Sequence, residues 1–107
     1  MDDLDTQVAE NLPAPGELLP LSINLIIKNR LGLHARAAGK LVQAAQQFKS
    51  QITLIKDDFE ADAKSILSLV SLGCPYDTEV LLTAVGEDAE EALKAVAEVF
   101  ENRFGEI

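Results

Sequence analysis

From Leu21 onward the chain alternates, with Ile23, Leu25 and Ile27 set against Ser22, Asn24 and Lys28 at the period-two spacing of a half-buried strand, Ile26 being the exception. The segment Asn29-Arg30-Leu31-Gly32-Leu33 breaks that pattern, and Ala38, Leu41, Val42, Ala45 and Phe48 then recur at helical spacing, so strand gives way to helix near His34. Gln51 to Lys56 predicts a second strand with Ile52 and Leu54 on one face, and Phe59 to Ala63 a short third strand after the Asp57-Asp58 turn. Ser65 opens a brief apolar helix containing Ile66, Leu67, Leu69 and Val70, which Gly73 stops with Pro75 close behind. Glu79 to Val85 reads as the fourth strand, Val80, Leu82 and Ala84 facing one way and Leu81, Thr83 and Val85 the other. Asp88-Ala89-Glu90-Glu91 has the spacing of a helix cap, Asp88 accepting from free backbone N–H groups and Glu91 reaching back. The final helix it starts carries a buried stripe of Ala92, Leu93, Val96, Val99, Phe100 and Phe104. The order β-α-β-β-α-β-α predicts an antiparallel or mixed sheet with helices on one face, because each helix has a single apolar stripe to bury.

Residues 1–20 do not share this patterning. They contain five acids, no Lys or Arg, and three of the four prolines, which remove backbone donors and bias their neighbours toward extended conformations. The stretch is expected to be a tail or tether with one turn of helix around residues 5–11, leaving 21–107 as the domain. The length of 107 residues fits one domain, and 48% apolar with 25% charged residues is the balance of a folded chain. Cys74 is the single cysteine, so no intrachain disulfide forms. The start Met1-Asp2-Asp3-Leu4-Asp5 lacks a secretory signal, and no stretch approaches the ~20 apolar residues of a membrane span. A cytoplasmic location, without membrane insertion, is expected.

The net charge of −9 argues against a general nucleic-acid or anionic-lipid binder, until it is resolved along the chain. Residues 1–20 carry −5, residues 57–107 carry −10, and residues 21–56 carry +6 with no acid among them. The six cations are Lys28, Arg30, Arg36, Lys40, Lys49 and Lys56, and the only histidine, His34, lies among the first four. Such a window is either a solvated helix face or a site for an anion. His34 is placed at or beside the N-cap of the first helix, where the amides of Ala35, Arg36 and their successors have no intrahelical acceptor and the helix dipole favours negative charge. Arg36 adds a guanidinium that can engage phosphate through paired donors. A neutral histidine nitrogen is a usable nucleophile near pH 7, and a phosphoramidate is labile enough to be handed on. A lone histidine also serves as a helix cap or a satisfied polar residue, and the residues alone leave both readings open.

The stretch Gly32-Leu33-His34-Ala35-Arg36-Ala37-Ala38 closely resembles the active-site signature of HPr, the phosphocarrier family of the bacterial phosphoenolpyruvate-dependent phosphotransferase system. The similarity runs from about Leu21 to Phe104 and includes Ala63-Lys64-Ser65-Ile66-Leu67 followed by Ser71-Leu72-Gly73. The resemblance implies an α+β open-faced sandwich, a four-stranded antiparallel sheet covered on one face by three helices. It implies that His34 accepts a phosphoryl group from phosphorylated enzyme I and passes it to a histidine of an enzyme IIA-type acceptor, with Arg36 stabilising the phosphate. It further implies that Ser65 is the family's regulatory serine, modified in some bacteria by an ATP-dependent kinase (HPr kinase/phosphorylase), and that Ile66, Leu67 and Val70 form an exposed docking patch. Ala37 departs from the signature, where proline is usual, and the acidic tail is additional to it.

On this reading the chain is a monomeric carrier rather than an independent enzyme. The alternative within the fold is a nitrogen-branch regulatory paralogue, which the final helix resembles somewhat, whereas Lys64-Ser65 and Ser71-Leu72-Gly73 look more like the sugar branch. A small RNA- or ligand-binding α+β domain is disfavoured, since aromatics make up 5% of the chain, with no Trp and one Tyr, and base-stacking platforms are lacking. Cys74 reads as a small apolar residue and Ser65 equally as an N-cap. No phosphate-cradling Gly-Lys loop and no metal-ligand spacing is present, so no nucleotide or metal cofactor is expected.

Overall fold

Four strands pair antiparallel throughout in the spatial order β1-β4-β2-β3, where β1 is Leu21–Ile26, β2 Gln51–Lys56, β3 Phe59–Asp62 and β4 Glu79–Val85. The computed structural model describes residues 19–107; nearly all of the predicted acidic tail, with its helical turn at 5–11, lies outside the described residues. Register places Ile23, Leu82, Leu54 and Ala61 in one row across the sheet, so the inward positions of all four strands line a single face. On that face lie α1 (Ala35–Ala45), α2 (Ile66–Leu72) and α3 (Ala89–Glu101), the one-sided cover expected from the order of elements and the open-faced sandwich that the resemblance implies. The alanines Ala37, Ala38 and Ala45 of α1 and Ala89 and Ala92 of α3 are buried beside Leu41, Val42, Val96 and Phe100, and their small side chains let helix backbones sit close to the sheet.

Three local expectations are corrected. In β1 the inward alternation is present but Ile23 stays 37% exposed and Leu21 44%; burial begins only at Leu25, so the first half of this edge strand is left partly uncovered. Phe48 follows the end of α1 instead of belonging to its stripe and packs half-buried against the core. Asp88 precedes α3 but makes no side-chain cap, and no hydrogen bond from Glu91 reaches back. Its backbone (φ −103°, ψ 24°) lacks the extended geometry that points a capping side chain at the helix end. The carboxylate turns instead to the start of β2, accepting from the Ser50 hydroxyl, from Lys49 N–H at 2.8 Å and from Ser50 N–H at 2.9 Å. These donors, the Ser50 hydroxyl foremost, hold its pKa below the usual carboxylate value.

The C-terminal stripe also ends differently. Helix α3 stops at Glu101, and Arg103 and Phe104 both take left-handed backbone (φ 55° and 54°) in a 3-10 turn, Arg103–Gly105. The turn drives Phe104 back into the core, 2% exposed, with its ring 4.9 Å from that of Phe100. Two consecutive non-glycine residues with positive φ carry a strain of about 1 kcal/mol or more each. Burying a phenylalanine offsets it, being worth about 1.5–3 kcal/mol. The chain then leaves toward the loop before α1, where Arg30 N–H donates to Ile107 C=O at 2.8 Å.

The Asp88 clasp has a signed pH dependence. Its stabilisation is fully present above the ordinary carboxylate pKa of about 4 and is lost as pH falls through the lowered folded-state value. Asp88→Asn is therefore expected to lower the urea midpoint at pH 7, and the gap from the parent should shrink between pH 4 and pH 2.5. A gap that stays constant over that range contradicts the assignment.

Candidate functional site

The loop joining β1 to α1 is shaped by backbone hydrogen bonds before any side chain acts. Gly32 N–H donates to Asn29 C=O at 3.1 Å, closing a tight turn, and Leu33 N–H donates to Cys74 C=O at 2.8 Å. Gly32 has φ +72°, and a Cβ there would come within 2.7 Å of Cys74 O and 2.9 Å of Pro75 Cα, so only glycine permits this approach. Leu33 is buried and anchors the turn; His34, next in line, leaves the core with extended backbone (φ −81°, ψ 179°) and becomes the N-cap of α1.

The two ring nitrogens of His34 have different partners. Nδ1 accepts from Arg36 N–H at 3.3 Å, as an N-cap side chain does. Nε2 lies 2.8 Å from Glu106 Oε1. Because Nδ1 is an acceptor in the first contact and a carboxylate accepts in the second, the neutral ring carries its proton on Nε2 and leaves the Nδ1 lone pair toward the start of the helix. The ring is 31% exposed, at the surface rather than in a pocket.

Glu106 is itself held. Asn29, fully buried, donates through Nδ2 to Glu106 Oε1 at 2.8 Å and to Gly32 C=O at 2.6 Å. The hydrogen bond from Asn29, then that from His34, pulls the Glu106 pKa below the ordinary glutamate value, so it is the ionised carboxylate that faces the ring. Asn29 Oδ1 is buried without a partner, which costs about 1–3 kcal/mol and marks how firmly the loop commits the amide to orienting Glu106.

Arg36 is exposed in the first turn of α1 and makes no salt bridge among the described residues. The amides of Ala35 and Ala37 have no backbone acceptor; Ala35 is exposed at the helix end, whereas Ala37 is buried. Ala37, where the signature usually has proline, is fully buried and costs the helix no hydrogen bond. Ser65 is the N-cap of α2, its hydroxyl accepting from Ser68 N–H at 3.2 Å, and Gly73 closes that helix in the left-handed region. Ile66, Leu67 and Val70 face solvent, with Leu67 77% exposed, and Ile66 lines a shallow groove of about 460 Å³ with Arg36, Gly39 and Lys40. The apolar trio is thus continuous with the basic end of α1. Cys74 lies in the core, and burial pushes its thiol pKa up, away from reactivity.

Of the sequence-predicted residues, His34 and Arg36 meet at one helix end, and Ile66 reaches the same groove. Sequence reasoning missed Asn29 and Glu106. Asn29 offered a weak signal, a polar residue in the turn right after a strand; Glu106 offered none, since 72 residues separate it from His34 and no spacing connects them.

Residues 21–102 match the family described as PTS HPr component phosphorylation site. The chain is 44% identical over 86 residues to the phosphocarrier protein HPr of Xylella fastidiosa strain 9a5c, spanning 80% of this chain and 97% of that protein. It is 38% identical over 89 residues to the multiphosphoryl transfer protein of Salmonella typhimurium, covering 80% of this chain but 24% of that longer protein. The crystal structure of HPr from Thermoanaerobacter tengcongensis superposes with a TM-score of 0.78 at 45% identity, covering 81% of this chain and 98% of the other. With this coverage and the fold in agreement, the chain belongs to the HPr family of the phosphotransferase system.

Proposed function

We propose that this chain carries a phosphoryl group within a phosphotransferase system, with His34 Nδ1 as the atom that takes it up and gives it away. The observation that carries the reading is the division of labour on the ring: Glu106 holds Nε2–H, and Nδ1 faces the free amides of α1. In the forward step the Nδ1 lone pair attacks phosphorus in line as the bond to the donor's phosphohistidine nitrogen breaks. The new N–P bond puts positive charge on the ring, and the Glu106 carboxylate offsets it while the proton stays on Nε2. Arg36 N–H, losing Nδ1 as its acceptor, turns to a phosphoryl oxygen together with the Ala35 and Ala37 amides and the Arg36 guanidinium. A protonated ring is a good leaving group, so the same arrangement supports onward transfer.

The donor is assigned as phosphorylated enzyme I and the acceptor as an enzyme IIA-type histidine, both docking on Ile66, Leu67 and Val70. The chain supplies the accepting side chain and its immediate electrostatics, and the partners supply substrate and turnover. Ser65 is the assigned regulatory position. Its hydroxyl caps α2, so a phosphate of about −1.5 to −2 charge would sit at a helix start without unfolding it, and would act on docking by placing negative charge beside the apolar trio.

Incubation with phosphoenolpyruvate, magnesium and enzyme I should give an acid-labile phosphate on the parent and none on His34→Ala; label on that variant overturns the acceptor assignment. Glu106→Gln should keep the fold but slow uptake about tenfold, in the range of one lost charged hydrogen bond. Its imidazole ¹⁵N spectrum should show a mixture of tautomers where the parent shows Nε2–H, which a purely structural role for Glu106 does not predict. Ser65→Asp should leave thermal unfolding within a degree or two of the parent while cutting the rate of phosphoryl acceptance at least tenfold; an undiminished rate removes Ser65 from regulation.

A further inference from the structure

Beyond the end of β1 the loop carrying Lys28 and Arg30 meets the α2–β4 loop carrying Tyr76 and the C-terminal turn carrying Arg103. With Ile107 these side chains line a cleft of about 300 Å³. That is the lower end of the range of small-molecule sites, about 300–1,000 Å³. Two of its walls are tied through the backbone, Ile27 N–H donating to Thr78 C=O at 2.9 Å and Asp77 N–H to Ile27 C=O at 2.8 Å. The third is held to the first where Arg30 N–H donates to Ile107 C=O. No acidic side chain lines the cleft. Glu101 pairs with Lys28 at 2.6 Å, and Glu106 is turned to His34 and Asn29. Among the described residues no carboxylate lies within 4.0 Å of the Arg30 or the Arg103 guanidinium.

Residues 57–107 hold thirteen acids against Lys64, Lys94 and Arg103, yet Arg103 pairs with none of the thirteen. Two guanidiniums lining one cleft repel each other, and an anion between them turns that repulsion into attraction. Arginine is also suited to the task, since its planar fork engages a carboxylate or a phosphate through two N–H donors. Tyr76 and Ile107, 59% and 76% exposed, add an aromatic and an aliphatic surface, and Tyr76 adds a hydroxyl donor. We propose that this cleft binds a small organic dianion, one acidic group on each of Arg30 and Arg103 and a short carbon frame against Tyr76 and Ile107. The site is separate from the start of α1 and does not rest on the reading under Proposed function.

Occupancy of the cleft acts on the segments that form its walls. Arg30 directly follows Asn29, and Glu106 N–H donates to Arg103 C=O at 3.0 Å. A dianion spanning the two arginines therefore cross-links the loop before α1 to the C-terminal turn, the same two segments whose meeting places Asn29, Glu106 and His34 together. The Lys28–Glu101 pair bridges the loop to the end of α3 at the rim, and the dianion adds a second bridge inside it. Both of its ion pairs are open to water, so a dissociation constant of about 1 mM is expected. A ligand that needs both arginines in place disfavours any form in which the turn lifts away. At ten times its dissociation constant that effect is about elevenfold.

The test titrates succinate or phosphonoacetate into the ¹⁵N-labelled full chain, with acetate at equal ionic strength as the control. Expected are saturable shifts at the Arg30, Tyr76 and Arg103 amides, half-complete at about 1 mM for at least one dianion, and no saturation with acetate. Arg30→Gln and Arg103→Gln, both at exposed positions, should each weaken binding about fivefold, the loss of one exposed ion pair. Saturation by both dianions assigns the cleft to either acidic group, and saturation by one alone assigns it to that class. At ten times the dissociation constant, hydrogen exchange should slow about tenfold at the Arg30 and Glu106 amides while the Ser65 amide keeps its rate. Shifts centred on Ala35 and Arg36 place the anion at the start of α1 and overturn the proposal. So do unchanged affinity in both variants and acetate that saturates as the dianions do. Binding in the cleft without slowed exchange overturns the cross-link. No phosphoryl donor is present in these measurements, so they decide the cleft whether or not His34 accepts phosphate.

Discussion

One carboxylate decides what His34 can do. An imidazole at a helix start could place its proton on either nitrogen, and with the proton on Nδ1 it has no nucleophile facing the helix. Glu106 removes that freedom by accepting the hydrogen bond from Nε2–H. Everything that brings Glu106 there is structural in origin: the left-handed turn at Arg103 and Phe104, the burial of Phe104 that sustains it, and the Asn29 amide that receives the carboxylate. The site thus depends on the C-terminal end of the chain packing against a loop more than seventy residues earlier. A defect in the core below Phe104 would reach the ring without touching it.

The charge distribution follows the same logic at longer range. A chain of net −9 places an acid-free stretch of +6 across β1, α1 and β2, so cations gather around α1 although the molecule as a whole is acidic. A carrier on the proposed reading needs moderate stabilisation of its phosphoryl group, enough to hold it between partners and too little to trap it. Solvent-exposed donors in water give that, since each is worth far less than in a closed, dry pocket. On the same reading, the position of His34 at the surface would let donor and acceptor approach one nitrogen in turn.

The periodicity of the chain was enough to place every strand and the start of every helix, because each element buries one face and the pattern records that face; it carried the first and last helices three residues too far, to Phe48 and Phe104, which reach the core from beyond the helix ends. His34, Ser65 and Gly73 were legible for a related reason: caps and stops are local, set by residues within a turn of the helix they serve. What was not legible depends on contacts distant in sequence. Asp88 had the spacing of a cap but was claimed by the Lys49 and Ser50 amides, 39 and 38 residues away. Phe104 had the spacing of a helical stripe but reached the core through a turn that no local propensity favours, since neither Arg103 nor Phe104 is a residue type that seeks positive φ. Glu106 depends on that turn and was therefore doubly hidden. The proposed docking role of Ile66, Leu67 and Val70 rests on resemblance, since an apolar stripe reads as core until the structure shows it exposed.

Ala37 shows how a departure from a family signature is to be weighed. Proline in the first turn of a helix is tolerated because its missing N–H has no acceptor there, and the structure bears this out for Ala37, whose amide has none. The substitution therefore costs the fold no hydrogen bond; what it changes is the number of free donors at the end of α1. With proline that end offers the amides of Ala35 and Arg36; with alanine a third N–H is present, at a residue that is fully buried in the resting form. On the proposed reading a dianionic group on Nδ1 would have more acceptor oxygens than two amides can satisfy, so the extra donor would act on the loaded state and not on the resting one. The loss of proline's fixed φ works in the opposite direction, by making the first turn less rigid before loading. The first effect depends on charge and the second on chain entropy, so the departure shifts how the carrier divides its stability between empty and loaded forms without removing either.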